Sequence, residues 1–190
     1  MNVATTVPQA FGTLKSNLEI TGLQQTTVSE RQRAIRQAIA RRLEVTESFL
    51  TGSYARSTMI APLNEADVDV FVVLDDKYFY QHRNRSDSQA ALLDQVRSVL
   101  RETYPRTPDI SINGQAVTIR FTDFLVDVVP AFQRDRGGYL IPNSISRTWI
   151  PTDPKEHVRL VSEANQAHNG DLVPLIKMIK AWNKTIDHFF

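Results

Sequence analysis

Cysteine is absent from these 190 residues. No disulfide can form and no thiolate can hold a metal, which fits a cytoplasmic protein. Long apolar runs are also missing. None approaches the roughly 20 residues that cross a bilayer, so no membrane association is expected. The first twenty residues have neither a basic start nor a continuous apolar stretch, so no signal peptide is expected. A surplus of one charge is lacking as well: 22 basic against 21 acidic residues leave a net charge of +1. That removes any bulk electrostatic case for nucleic acid, and a basic surface must be local. Repeats and low-complexity segments are not found. The four histidines, His82, His157, His168 and His188, are scattered without metal-binding spacing, so no zinc site is expected. The chain is long enough for one domain with a proper core.

The elements follow from periodicity. Residues up to about Thr26 read as a short helix or arm. Ser29 and Gln32 form a capping-box pattern. Behind it, Ile35, Ala38, Ile39 and Leu43 repeat at helical spacing. Residues 47–51 read as a short strand that Gly52-Ser53 breaks, and 54–60 as the start of a short helix. Residues 68–74 are β-branched and apolar on both faces, as in a central buried strand. Residues 81–88 read as a loop. Leu92, Leu93, Val96, Val99 and Leu100 form the stripe of a helix that Pro105 ends. Strands are expected at 116–121 and 124–129 around a Thr122-Asp123 turn, and irregular chain at 141–154, which holds three prolines. Helices are expected at about 154–167 and from 172 onward. The layout is α/β (α+β), with a small mixed sheet flanked by helices.

Three features carry chemistry. Gly52-Ser53, between a strand and a helix start, permits close backbone approach and offers phosphate-binding donors; taken alone it reads first as an ordinary turn. Asp67 and Asp69 sit two apart on a strand and so point to one face. Two such carboxylates repel, and a divalent cation would supply the missing charge; the alternative is a solvated strand end. Asp127 is a further acid inside an apolar strand, with Asp123 as its rival for the third position.

Gly52-Ser53-Tyr54-Ala55-Arg56-Ser57-Thr58, Asp67-Val68-Asp69 and Val126-Asp127-Val128-Val129-Pro130 together resemble the DNA polymerase β-like nucleotidyltransferase superfamily. The stretch Trp149 to His157, Asn165, and Leu175-Ile176-Lys177-Met178-Ile179-Lys180-Ala181-Trp182 narrow this. They resemble the cyclic-GMP-AMP-synthase/DncV-like synthetases of bacterial anti-phage defence. The last segment is also similar to the oligoadenylate synthetase helix that places a lysine, here Lys180, on the triphosphate.

The resemblance implies a nucleotidyltransferase fold over 1–190, with its core at about 30–135. Residues 150–190 would begin a helical lobe, cut off at the apolar end His188-Phe189-Phe190. It implies nucleoside triphosphate substrates and two Mg²⁺ ions (or Mn²⁺) on Asp67, Asp69 and Asp127. Gly52, Ser53 and Lys180 would hold phosphates. Lys177, Lys180 and Lys184 share a helix face opposite Ile176, Ile179 and Ile186, so Lys177 is a further candidate. Arg56 could reach a phosphate or pair with a local acid. Trp149 and Trp182 could stack on a base or belong to the core. The product would be a cyclic or linear oligonucleotide. The alternatives are an RNA acceptor, as in CCA-adding enzymes, and a nucleotide-binding fragment without turnover.

Overall fold

The computed structural model describes residues 6–83, 85–107 and 109–186; His188 and the apolar end Phe189-Phe190 lie outside them. Two helices open the chain, α1 (Val7–Leu18) and α2 (Gly22–Ala40), and each begins with a complete capping box. Thr6 with Gln9 caps the first, and Thr21 with Gln24 the second. The second box displaces the expected one. Ser29 and Gln32 are mid-helix, where the Gln32 amide donates to the Ser29 carbonyl at 2.9 Å. Val28, Gln32, Ile35 and Ile39 form the buried stripe, so the helix is longer than its apolar residues advertise.

Seven strands make one mixed sheet. They are β1 (Val45–Leu50), β2 (Asp67–Leu74), β3 (Ile110–Asn113), β4 (Ala116–Arg120), β5 (Leu125–Gln133), β6 (Tyr139–Asn143) and β7 (Thr148–Thr152). The main order is β1-β2-β5-β4-β3, and β6 and β7 extend from the end of β5. β2 and β5 are parallel; the other pairs are antiparallel. Expectation missed β3, β6 and β7. The first is four residues long, and the other two contain Pro142 and Pro151. Pro142 lies beyond the two-residue pairing of β6 with β5, so its missing N–H costs no bond in that ladder.

The connecting helices are α3 (Gly52–Ala55), α4 (Lys77–His82), α5 (Ser88–Thr103), α6 (Pro154–Ala167) and α7 (Leu172–Ile186). The first is a single turn, shorter than the helix expected at 54–60. α4 stands where the expected loop begins. It is held by tertiary contact, with the Phe79 ring 5.4 Å from Phe132 and 5.2 Å from Trp149.

Alternation along β2 divides the sheet's two faces. Val68, Val70, Val72 and Leu74 join the main core with α2 and α5. Phe71 and Val73 face the other way, into a smaller cluster with Ala131, Tyr139 and Ile141. Asp67 and Asp69 belong by alternation to this second face, beyond the end of its apolar cluster.

Candidate active site

The site lies where β2 and β5 begin. The parallel register sets Asp69 directly beside Asp127 and Asp67 beside Leu125. Each of the three aspartates offers one carboxylate oxygen within 4.8 Å of the other two. Asp67 is exposed; Asp69 and Asp127 are half-buried. Burial, then the charges of Asp67 and Asp127, push the Asp69 carboxyl up to about 6. Burial likewise raises Asp127, against a hydrogen bond from Thr118 that lowers it. Three acids that repel one another at a half-buried point fit a divalent cation. Their donors are all hard oxygens, the set that Mg²⁺ and Mn²⁺ take.

Gly52 is required by this cluster. Its φ is +65°, in the left-handed region. A Cβ built on it would lie 1.6 Å from Asp69 Oδ2. The glycine therefore makes room first for a carboxylate of the protein itself. The Thr51 amide donates to the Asp69 carbonyl at 3.0 Å and fixes the turn against β2. Ser53 is held at its carbonyl, which accepts the Thr58 amide at 2.9 Å. Among the described residues its hydroxyl has no hydrogen bond. Arg56 makes no ion pair among them either, so it does not take the local acid partner considered for it; its field partly offsets the rise at Asp69.

α7 docks by its lysine face. Lys177 is buried and donates to Glu19 at 2.6 Å, at the end of α1 and away from the carboxylates. Lys180 donates to the Thr58 carbonyl at 3.1 Å. Lys184 lies 3.4 Å from Glu65. Burial and the nearby Arg56 lower the Lys180 ammonium, while the fields of Asp67 and Asp69 oppose that. Lys180, Ser53 and Asp67 line one cleft of about 450 Å³ with Ile179 and Trp182. The structure thus groups Gly52, Ser53, Arg56, Lys180 and the three aspartates, and sets Lys177 apart.

The rival acid Asp123 is engaged elsewhere: it pairs with Arg31, whose guanidinium lies 4.1 Å from the centre of the Phe121 ring. Two residues have no role of their own in the sequence reading. Thr58 holds Lys180 chiefly through its carbonyl, at 3.1 Å, with its hydroxyl 3.5 Å from the same ammonium, and a backbone acceptor leaves no signal in the sequence. Thr118 touches Asp127, and its signal was a hydroxyl inside the apolar run Ala116-Val117-Thr118-Ile119.

A mixed sheet flanked by helices, with three acids at the start of two parallel strands, is the nucleotidyltransferase fold. Within that class the match is specific. Residues 5–165 match the Second Messenger Oligonucleotide or Dinucleotide Synthetase domain, and the chain belongs to this SMODS family. It is 29% identical over 189 residues to the Cyclic AMP-AMP-AMP synthase of Acinetobacter sp. (strain ATCC 27244 / 9458), covering 94% of this chain and 52% of that protein. Its fold is similar to the STING-associated CdnE c-di-GMP synthase from Capnocytophaga granulosa, with TM-score 0.68, 19% identity, and coverage of 93% and 57%. It is also similar to the Rhodothermus marinus CdnE c-UMP-AMP synthase with Apcpp and Upnpp, with TM-score 0.66, 21% identity, and coverage of 96% and 69%. The chain spans about half the length of the curated relatives it matches. No helix among the described residues is long and apolar enough to cross a membrane.

Proposed function

We propose that this chain is the catalytic part of a cytoplasmic nucleotidyltransferase that builds a cyclic or linear oligonucleotide second messenger in bacterial anti-phage defence. The observation that carries the proposal is the three-carboxylate cluster with Gly52, Ser53 and Lys180 gathered beside it. On this reading the chain is one catalytic domain with its core at about 30–135, and from about residue 150 it begins a helical lobe. Asp67, Asp69 and Asp127 hold two Mg²⁺ ions. Bound there, the metal supplies charge neutralisation and Lewis acidity at the transferring phosphoryl group. Ser53, the Gly52 backbone and Lys180 hold the triphosphate tail, with Arg56 near enough to add field. An acceptor ribose hydroxyl attacks the α-phosphorus as its proton passes to Asp127. The bond from the α-phosphorus to its bridging oxygen breaks, and pyrophosphate leaves. ATP is the first triphosphate to try, because a curated relative carries the name Cyclic AMP-AMP-AMP synthase.

The test uses the purified chain, Mg²⁺ and each labelled triphosphate in turn. Pyrophosphate and a phosphatase-resistant oligonucleotide should form, and Asp69→Asn should abolish both. Equal turnover by chain and variant would sink the proposal. Label appearing only in added tRNA would move the function to RNA tailing. Binding of a non-hydrolysable triphosphate with no pyrophosphate would leave a binding module.

A further inference from the structure

We infer that Thr118 is a positioning residue for the metal site, aiming the Asp127 carboxylate by a hydrogen bond from the neighbouring strand. The inference rests on the proposed metal-binding role of the aspartates. β4 runs antiparallel to β5, and Thr118 stands directly opposite Asp127. Opposite residues of an antiparallel pair project to the same face. Asp69 flanks Asp127 on the other side, through the parallel register of β2. Three side chains therefore form a row across three strands, in the order Thr118, Asp127, Asp69.

Within this row the Thr118 hydroxyl donates to Asp127 Oδ1 at 2.5 Å. The threonine hydroxyl is a donor that an apolar side chain of the same size cannot supply. Thr118 is only 9% exposed, so water competes weakly for the bond. Its branched Cβ restricts χ1, which holds the donor in place. The bond satisfies Oδ1 from the β4 side and fixes the plane of the carboxylate. Asp127 Oδ2 and the unused lone pairs remain for a cation.

Volume alone does not call for threonine. Valine fills nearly the same space, because it differs from threonine only in carrying a methyl group in place of the hydroxyl. What valine lacks is the donor. Partners that orient a metal-ligating side chain are typically worth about 10- to 100-fold in metal affinity.

The experiment measures Mn²⁺ binding to the full 190-residue chain by electron paramagnetic resonance, together with thermal unfolding in EDTA. Thr118→Val should weaken Mn²⁺ binding about 10-fold. Thr118→Ser should bind within about 3-fold of the parent, because it keeps the donor. Unchanged Mn²⁺ affinity in Thr118→Val overturns the inference. So does an equal loss in Val and Ser, which would show that packing and not the hydroxyl matters. If Thr118→Val does not fold in EDTA, Thr118→Ala against Thr118→Ser puts the same question without branching. A parent chain that binds no Mn²⁺ defeats the metal-site reading itself, and this inference with it.

Discussion

Asp69 and Gly52 form a matched pair, and each constrains what the other position tolerates. Gly52→Ala puts a methyl group where Asp69 Oδ2 lies and strains a backbone at φ +65°. The strain alone costs about 1–2 kcal/mol. Chemical denaturation should show at least that loss, with Mn²⁺ binding reduced as Asp69 shifts. Asp69 also predicts a pH dependence. Its folded carboxyl is raised to about 6 from an ordinary 3.8. Between these values the folded chain holds a proton that the unfolded chain has released, so in EDTA this group lowers stability as pH rises from about 4 to about 6. Asp69→Asn should therefore raise the unfolding free energy in EDTA at pH 7.5 by about 1–3 kcal/mol. On the proposed metal-site reading, Mn²⁺ should stabilise the parent chain and not this variant. Because the cation must displace that proton, parental Mn²⁺ affinity should fall as pH drops through about 6. A variant less stable than its parent in EDTA would mean that the charge cluster is not strained.

α7 shows how an element can invert the usual rule. Its packing face carries Lys177, Lys180 and Lys184, each with a partner in the body of the domain. Leu175, Ile179 and Trp182 are exposed, at 52%, 52% and 65%, the last two along the rim of the cleft. Helical spacing of the lysines (i, i+3, i+7) puts the three on one face; which face meets the domain depends on Glu19, Thr58 and Glu65, from three distant segments. The two site-candidate lysines should then separate in experiment. Glu19 is half-exposed while Lys177 is buried, so Glu19→Ala should cost about 1–3 kcal/mol, whereas Lys177→Met removes the charge itself and should cost less. Lys180→Met should unfold close to the parent but bind triphosphate about 10- to 100-fold more weakly, as loss of a charged hydrogen bond implies. Calorimetry with a non-hydrolysable triphosphate checks the second half, and equal binding by Lys180→Met would remove it from the phosphate site.

For the whole molecule, the parallel pairing of β2 with β5 is the decisive contact. It sets side by side two acids that are 58 positions apart (127 − 69). The chain also carries an outward aromatic beside the cleft. Trp182 should fluoresce as a solvent-exposed indole, quenched by acrylamide in a Trp149→Phe background. Trp149, half-buried against Phe79 and Phe132, should resist quenching in the converse Trp182→Phe variant. Equal quenching of both would contradict this arrangement of α7.

Much of this was legible in the residues. The apolar β2 run, the stripe of α5 and the paired acids are local patterns that alternation and helical spacing reveal. β6 and β7 were hidden because proline argues against a strand until one knows which edge of the ladder it occupies. α4 was hidden because its hold on the domain is Phe79 against Phe132 and Trp149, more than 50 positions away. By itself, the sequence determined the main strands and helices, the side-by-side aim of Asp67 and Asp69, and the family resemblance, because each rests on local spacing or on short motifs read in order along the chain. The tertiary structure decided that Asp127 and not Asp123 completes the cluster, that Gly52 clears space for Asp69, that Lys180 and not Lys177 faces the cleft, and that Thr118 stands behind Asp127. Those are questions of which distant strands and helices become neighbours, and only packing and sheet register answer them.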